Sequence, residues 1–158
     1  MPLVILCALV QSAIQGRLSI FGVTPDLVLI FTVSYVLLRD RDRGVLVGLT
    51  GGIVLDALSG APFGLRIVAL AVAAWLAGIG ENNVFRWAGF LPYAMVAAAT
   101  IVYHGLFLFM LQIAGRPVMW GPALWRTVLP GVVVNIVCIT AVRTLMEGFS
   151  RRKAWSVE

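Results

Sequence analysis

From Gly44 to Gly64 the chain reads GVLVGLTGGIVLDALSGAPFG, an apolar helix with glycines at intervals of four, one carboxylate near its end, and a break at Ser-Gly-Ala-Pro-Phe-Gly. The rest of the sequence surrounds this charge with apolar residues: 61% of the 158 residues are hydrophobic, only 12% are charged, and the mean hydropathy is +0.99. Soluble globular domains lie far from that balance. The chain therefore reads as a polytopic membrane protein, and at roughly 20 residues per span it accommodates about six helices with almost no soluble domain. A carboxylate inside a transmembrane helix costs about 2.5 to 3.5 kcal/mol at mid-bilayer and less towards an interface. Asp56 thus requires a partner or faces a protein interior, and its segment reads as an assembly surface or a site.

The net charge of +5 does not point to nucleic acid, because the basic residues lie at helix ends rather than along a solvated face. The first residues, MPLVILCALVQSAIQG, carry no Lys or Arg ahead of the apolar run and no small-x-small cleavage pattern, so they read as a first span rather than a removed signal peptide. Cys7 and Cys138 fall in apolar runs, where a thiol behaves as a small hydrophobe.

The first span is expected from Pro2 to Ile20, with Gln11, Ser12 and Gln15 on one inward-looking face. Thr24, Pro25 and Asp26 read as the start of a second span that reaches Leu38, with Thr24 as N-cap, proline at the first helical position and an acid in the first turn. Arg39 to Arg43, RDRDR, is expected as a tight hydrophilic turn. A third span from Gly44 to Leu58 and a fourth from Leu65 to Ile79 flank the SGAPFG break, and Glu81-Asn82-Asn83 follows. These spans are short: fifteen helical residues cover only about 22 Å. The fifth is expected from Trp87 to Ala114, then an interfacial segment with Arg116, Pro117, Trp120, Pro122, Trp125 and Arg126, and a sixth from Val128 to Met146 bent at Pro130-Gly131. The expected division is a transmembrane domain over residues 1–147 and a short basic tail over 148–158.

With the amino terminus inside, the cytoplasmic side receives Arg39, Arg41, Arg43, Arg86, Arg143, Arg151, Arg152 and Lys153, and the outer side receives Arg17, Arg66, Arg116 and Arg126. The positive-inside rule then places both termini in the cytoplasm. A five-span arrangement would put the basic tail opposite the RDRDR turn, which the same rule disfavours.

Gly44, Gly48, Gly52, Asp56 and Gly60 share a four-residue spacing and one helical ridge. Small-xxx-small packing accounts for the glycines. In this topology Asp26, Asp56 and Arg66 lie at a similar depth on the outer side. Two readings are open: a clasp in which Arg66 offsets the two carboxylates, or an Arg66 that snorkels to headgroups beside an Asp26 that only caps its helix. His104 and Asn135, each central in its span, read as interhelical hydrogen-bonding residues. One histidine, two separated cysteines and no HExxH or CxxC pattern argue against a metal site. No phosphate-binding loop stands in a strand-to-helix context, and Ser59 and His104 differ in depth, which argues against a serine hydrolase. No cofactor is expected.

The Pro25-Asp26-Leu27 start, the short basic turn, and a glycine-rich span ending Asp56-Ala57-Leu58-Ser59-Gly60-Ala61-Pro62-Phe63-Gly64-Leu65 together resemble the rod shape-determining protein MreD family. The specific part of the resemblance lies between Pro25 and Leu65. It implies a bacterial inner-membrane component of the elongation machinery for lateral peptidoglycan synthesis and cell shape, not known as an enzyme. The implied partners are MreC, the elongation glycosyltransferase, its penicillin-binding transpeptidase, the actin-like filament protein MreB and membrane lipids. It also implies a six-helix arrangement similar to the substrate-binding subunits of energy-coupling-factor transporters.

The resulting expectation is an all-α bundle that acts as a non-enzymatic scaffold. Its structural and interaction candidates are Asp26, Gly44, Gly48, Gly52, Asp56, Ser59, Gly60, Pro62, Gly64 and Arg66. The alternative is a small-molecule-binding subunit of an energy-coupling-factor-type transporter, with Gln11, Gln15, His104, Gln112 and Asn135 lining a cavity.

Overall fold

A computed structural model describes residues 2–15, 24–38, 41–81 and 90–140. Among these residues the secondary structure is entirely helical: α1 (Pro2–Ile14), α2 (Leu27–Leu38), α3 (Arg41–Leu58), α4 (Leu65–Ala77), α5 (Leu91–Ile113) and α6 (Trp120–Thr140). A 3₁₀ turn, Gly78–Glu81, extends α4. Two segments, Tyr93–Ile113 and Trp120–Thr140, are long and apolar enough to cross a membrane. Their outward faces expose Ile101, Phe109, Leu129, Val133 and Val137, an apolar surface that suits lipid and would be a liability in water.

α2 lies at the centre, packed against α1, α3, α4 and α5, while α3 packs against α1, α2 and α4. Val28, Leu29, Val33 and Val36 of α2 are almost fully buried, as are Ala69, Ala73, Ala74 and Ala77 of α4. The alanine face of α4 meets the glycine face of α3. In lipid, helix association relies on such close van der Waals packing because the tails are as apolar as the side chains.

The glycine contacts are specific. A Cβ at Gly52 would lie 2.6 Å from the Ile67 Cα, so α3 and α4 meet backbone to backbone there. At Gly48 it would lie 3.2 Å from both the Leu70 carbonyl oxygen and the Thr32 side chain, placing this residue between α4 and α2. Gly44 is closed by Val36, and Gly51, which lies off the four-residue ridge, by Val28 and Val4. Gly60 differs, with open space around it.

Several boundaries depart from expectation. α2 begins at Leu27, and the Asp26 carbonyl accepts the Ile30 N–H at 3.0 Å. Asp26, rather than Thr24, therefore occupies the cap position, and Pro25 precedes the helix. α3 begins at Arg41 and takes Arg41, Asp42 and Arg43 into its first turn. The helix tolerates these charges because Asp42 sits at its positive end, and the Arg41 guanidinium lies 4.5 Å from the Trp75 ring centre. The Arg41 stem lies over Gly78, so its carbons are covered by protein.

The sixth helix begins at Trp120, within the segment expected to be interfacial and eight residues before the expected Val128. Pro122 is compatible with this start, since first-turn amides have no intrahelical partner. A bend is expected at Pro130-Gly131; the irregularity found is a π-helical turn ahead of the proline, Leu124–Val128, in which the Leu129 N–H bonds to the Leu124 carbonyl. The wider turn relieves the clash that proline imposes on the preceding turn. Residues 1, 16–23, 39–40, 82–89 and 141–158 lie outside the described residues, and with them the expected end of the first span, the Asn82-Asn83 connection, the expected start of the fifth span at Trp87, the end of the sixth span and the basic tail.

Candidate functional site

Four helices meet at Asp26. Its side-chain Oδ1 accepts from Gln11 Nε2 of α1 at 3.1 Å, and its Oδ2 lies 3.2 Å from His104 Nε2 of α5. Its backbone N–H donates to Asn135 Oδ1 of α6 at 3.1 Å. The bonds continue outward: Asn135 Nδ2 donates to Thr100 Oγ1 at 3.1 Å, and the Thr100 hydroxyl donates to the Val96 carbonyl at 2.7 Å. Gln11 Oε1 accepts the Val28 N–H at 2.9 Å. Gln11, Asp26, Thr100, His104 and Asn135 are all buried, and Tyr103 packs edge-on against the His104 ring, 5.0 Å between centroids.

The local sequence explains this convergence. Gln11 follows Val4 and Ala8 along the buried face of α1, whereas Gln15 is exposed; the two glutamines do not share the inward role expected of them. Thr100 and His104 are one turn apart on α5, which lets His104 Nδ1 contact the Thr100 carbonyl at 3.0 Å. Gln11 also supplies what Asp26 does not: it caps an amide in the first turn of α2, leaving the carboxylate to bind α1 and α5.

Asp56 has a different environment. At the end of α3 its Oδ2 accepts the Gly64 N–H at 2.9 Å and the Ile67 N–H at 3.2 Å, while the Arg66 N–H lies 3.2 Å from both carboxylate oxygens. Both oxygens act as acceptors, and the carboxylate sits on the positive end of α4. The intervening loop is shaped for this contact: Ser59 Oγ bonds to the Asp56 carbonyl at 3.3 Å, and Gly64 adopts φ +103°, a conformation that favours glycine. Gly60 and Pro62 lie in the same loop, where the Gly60 carbonyl accepts from Arg116 Nη2 at 3.3 Å.

The side chain of Arg66 makes no ion pair within 4 Å among the described residues. Its guanidinium carbon lies 5.4 Å from the Phe107 ring centre, and its buried Nε lacks a hydrogen-bond partner. Arg66 contacts Asp56 through the backbone amide, and its charge also acts on Asp26. The three charges therefore share a region without forming a direct clasp.

The sequence matches the family model for rod shape-determining protein MreD over residues 1–152. The chain belongs to the MreD family. Comparison with curated proteins and with solved structures gives no match. For this MreD-family chain, the family assignment supports a role in rod-shape determination, and the apolar helices accord with membrane residence.

The structure also shows which polar residues could serve a ligand. Gln11, His104 and Asn135 bond within the four-helix cluster. Gln112 is exposed and accepts from the Trp120 indole across the α5–α6 connection. No group of three or more His, Cys, Asp or Glu side chains suited to a metal occurs among the described residues. Thr100 and Gly51 are the participants that sequence reasoning missed. The available signals were the four-residue step from Thr100 to His104 and the seven-residue step from Gly44 to Gly51.

Proposed function

We propose that this chain is a non-enzymatic scaffold of the bacterial elongation machinery. In this reading it is a six-span protein of the inner membrane, with both termini cytoplasmic and a helical arrangement similar to energy-coupling-factor substrate-binding subunits. It binds MreC and supports lateral peptidoglycan synthesis together with the glycosyltransferase, the penicillin-binding transpeptidase and MreB. The observation that carries the proposal is the MreD-family match over residues 1–152.

The interior chemistry supports a binding role. Gln11, Asp26, Asp56, Thr100, His104 and Asn135 are engaged in joining helices, and the glycine ridge of α3 is filled by α2 and α4. A partner would therefore meet the outward faces, where Leu6, Ile53, Phe63, Ile101, Phe109 and Val133 are exposed.

Photocrosslinking from these six positions in cells tests the proposal. Capture of MreC from a contiguous subset, with the other positions silent, is the expected result. Failure to capture MreC from every position in a protein that still maintains rod shape would contradict MreC docking on these faces.

A further inference from the structure

We propose that Asp26 and His104 form a one-proton latch, which holds α5 on α2 when the pair carries a single proton and releases it when a proton is added or removed. This goes beyond the scaffold reading and rests on hydrogen-bond polarity within the cluster.

Backbone groups fix that polarity at every end. The Val28 N–H can only donate, so the oxygen of Gln11 faces it and the amide nitrogen faces Asp26. The Asp26 N–H fixes the Asn135 oxygen in the same way, leaving the Asn135 nitrogen to donate to Thr100, whose hydroxyl donates to the Val96 carbonyl. The Thr100 carbonyl can only accept, so His104 Nδ1 carries a hydrogen. One variable is left: the proton between His104 Nε2 and Asp26 Oδ2, 3.2 Å apart.

With one proton in that contact, either Nε2 donates to a carboxylate or a carboxylic acid donates to Nε2. Both forms satisfy the pair. A second proton has no acceptor, because Oδ1 already faces the Gln11 amide donor and Oδ2 would face Nε2–H. With no proton, two lone pairs oppose each other in a buried site, which is costly.

The surrounding charges do not supply another acceptor. From α4, Arg66 acts on Asp26 through its positive charge; from α3, Asp56 is occupied by the amides that begin α4. From α5, Tyr103 presents its ring to His104, while α1 and α6 contribute the amides of Gln11 and Asn135. The pair therefore converts proton number into the attachment of α5 to the start of α2.

His104 is the sole histidine of the chain, so ¹⁵N-histidine NMR of the full-length protein in lipid nanodiscs reads the latch directly. Across a pH series, Nδ1 is expected to remain at the N–H position while Nε2 alone moves between protonated and proton-free positions. In Asp26→Asn the side-chain amide cannot exchange a proton with Nε2, so the Nε2 signal should differ from that of the wild type across the series. Thermal unfolding midpoints should fall on both sides of an optimum in the wild type, and this dependence should be lost in Asp26→Asn/His104→Gln. A neutral ring with a proton-free Nδ1, an Nε2 signal in Asp26→Asn identical to that of the wild type, or parallel thermal profiles for wild type and double variant would each overturn the latch.

Discussion

Asp26 and Asp56 are both buried carboxylates beside the start of a helix, yet they are bound in opposite ways. Asp56 accepts backbone amides from the SGAPFG turn and the first residues of α4, so it organises a junction between consecutive helices. Asp26 receives side chains from α1 and α5 while its own amide reaches α6, so it joins elements distant in sequence. The first arrangement is local and survives on chain connectivity. The second depends on complementary side chains arriving from three other helices.

The contrast predicts different sensitivities, measured by reversible unfolding in detergent or by steric trapping in bicelles. Asp26→Ala should have the largest effect, a loss of about 3 kcal/mol or more, because it leaves the Gln11 amide and His104 buried without their partner. A loss below that of Asp56→Ala would reverse the comparison. Gly52→Ala comes next, at about 2 to 3 kcal/mol, since its new Cβ meets the α4 backbone, which cannot swing aside as a side chain can. Asp56→Ala should cost about 1 to 3 kcal/mol by removing the acceptor for the first amides of α4. Hydrogen exchange should rise at Gly64, Arg66 and Ile67 while the α5 amides stay protected. Gly60→Ala should change stability by no more than about 0.5 kcal/mol, because open space surrounds the site. A large loss there would show that the ridge extends beyond Gly52.

The same contrast explains what could be read in the sequence. The Gly44, Gly48 and Gly52 spacing placed three close contacts on α3 because helical periodicity is a local property. The requirement for a partner at Asp56 was also legible from the cost of a carboxylate among apolar residues. That its partners are the backbone amides of α4 was not, since the tight turn at Gly64 directs them. His104 and Asn135 were recognisable as interhelical hydrogen-bonding residues, but their common meeting point was not: Asn135 reaches the Asp26 amide across 109 residues of sequence. Thr24 appeared the natural cap for α2 because capping rules consider neighbours, and the side chain that performs this task comes from α1. At α6, Pro122 and the tryptophans suggested an interfacial break, whereas proline fits within the first helical turn and the distortion near Pro130 is absorbed by a wider turn.

Asp26 couples helices directly through its side chain. A double-mutant cycle between Asp26→Ala and His104→Ala, with unfolding free energies measured in one bilayer mimic, tests it most directly. A coupling energy of about 1 to 3 kcal/mol between the two sites is expected. Additivity to within about 0.5 kcal/mol would contradict it.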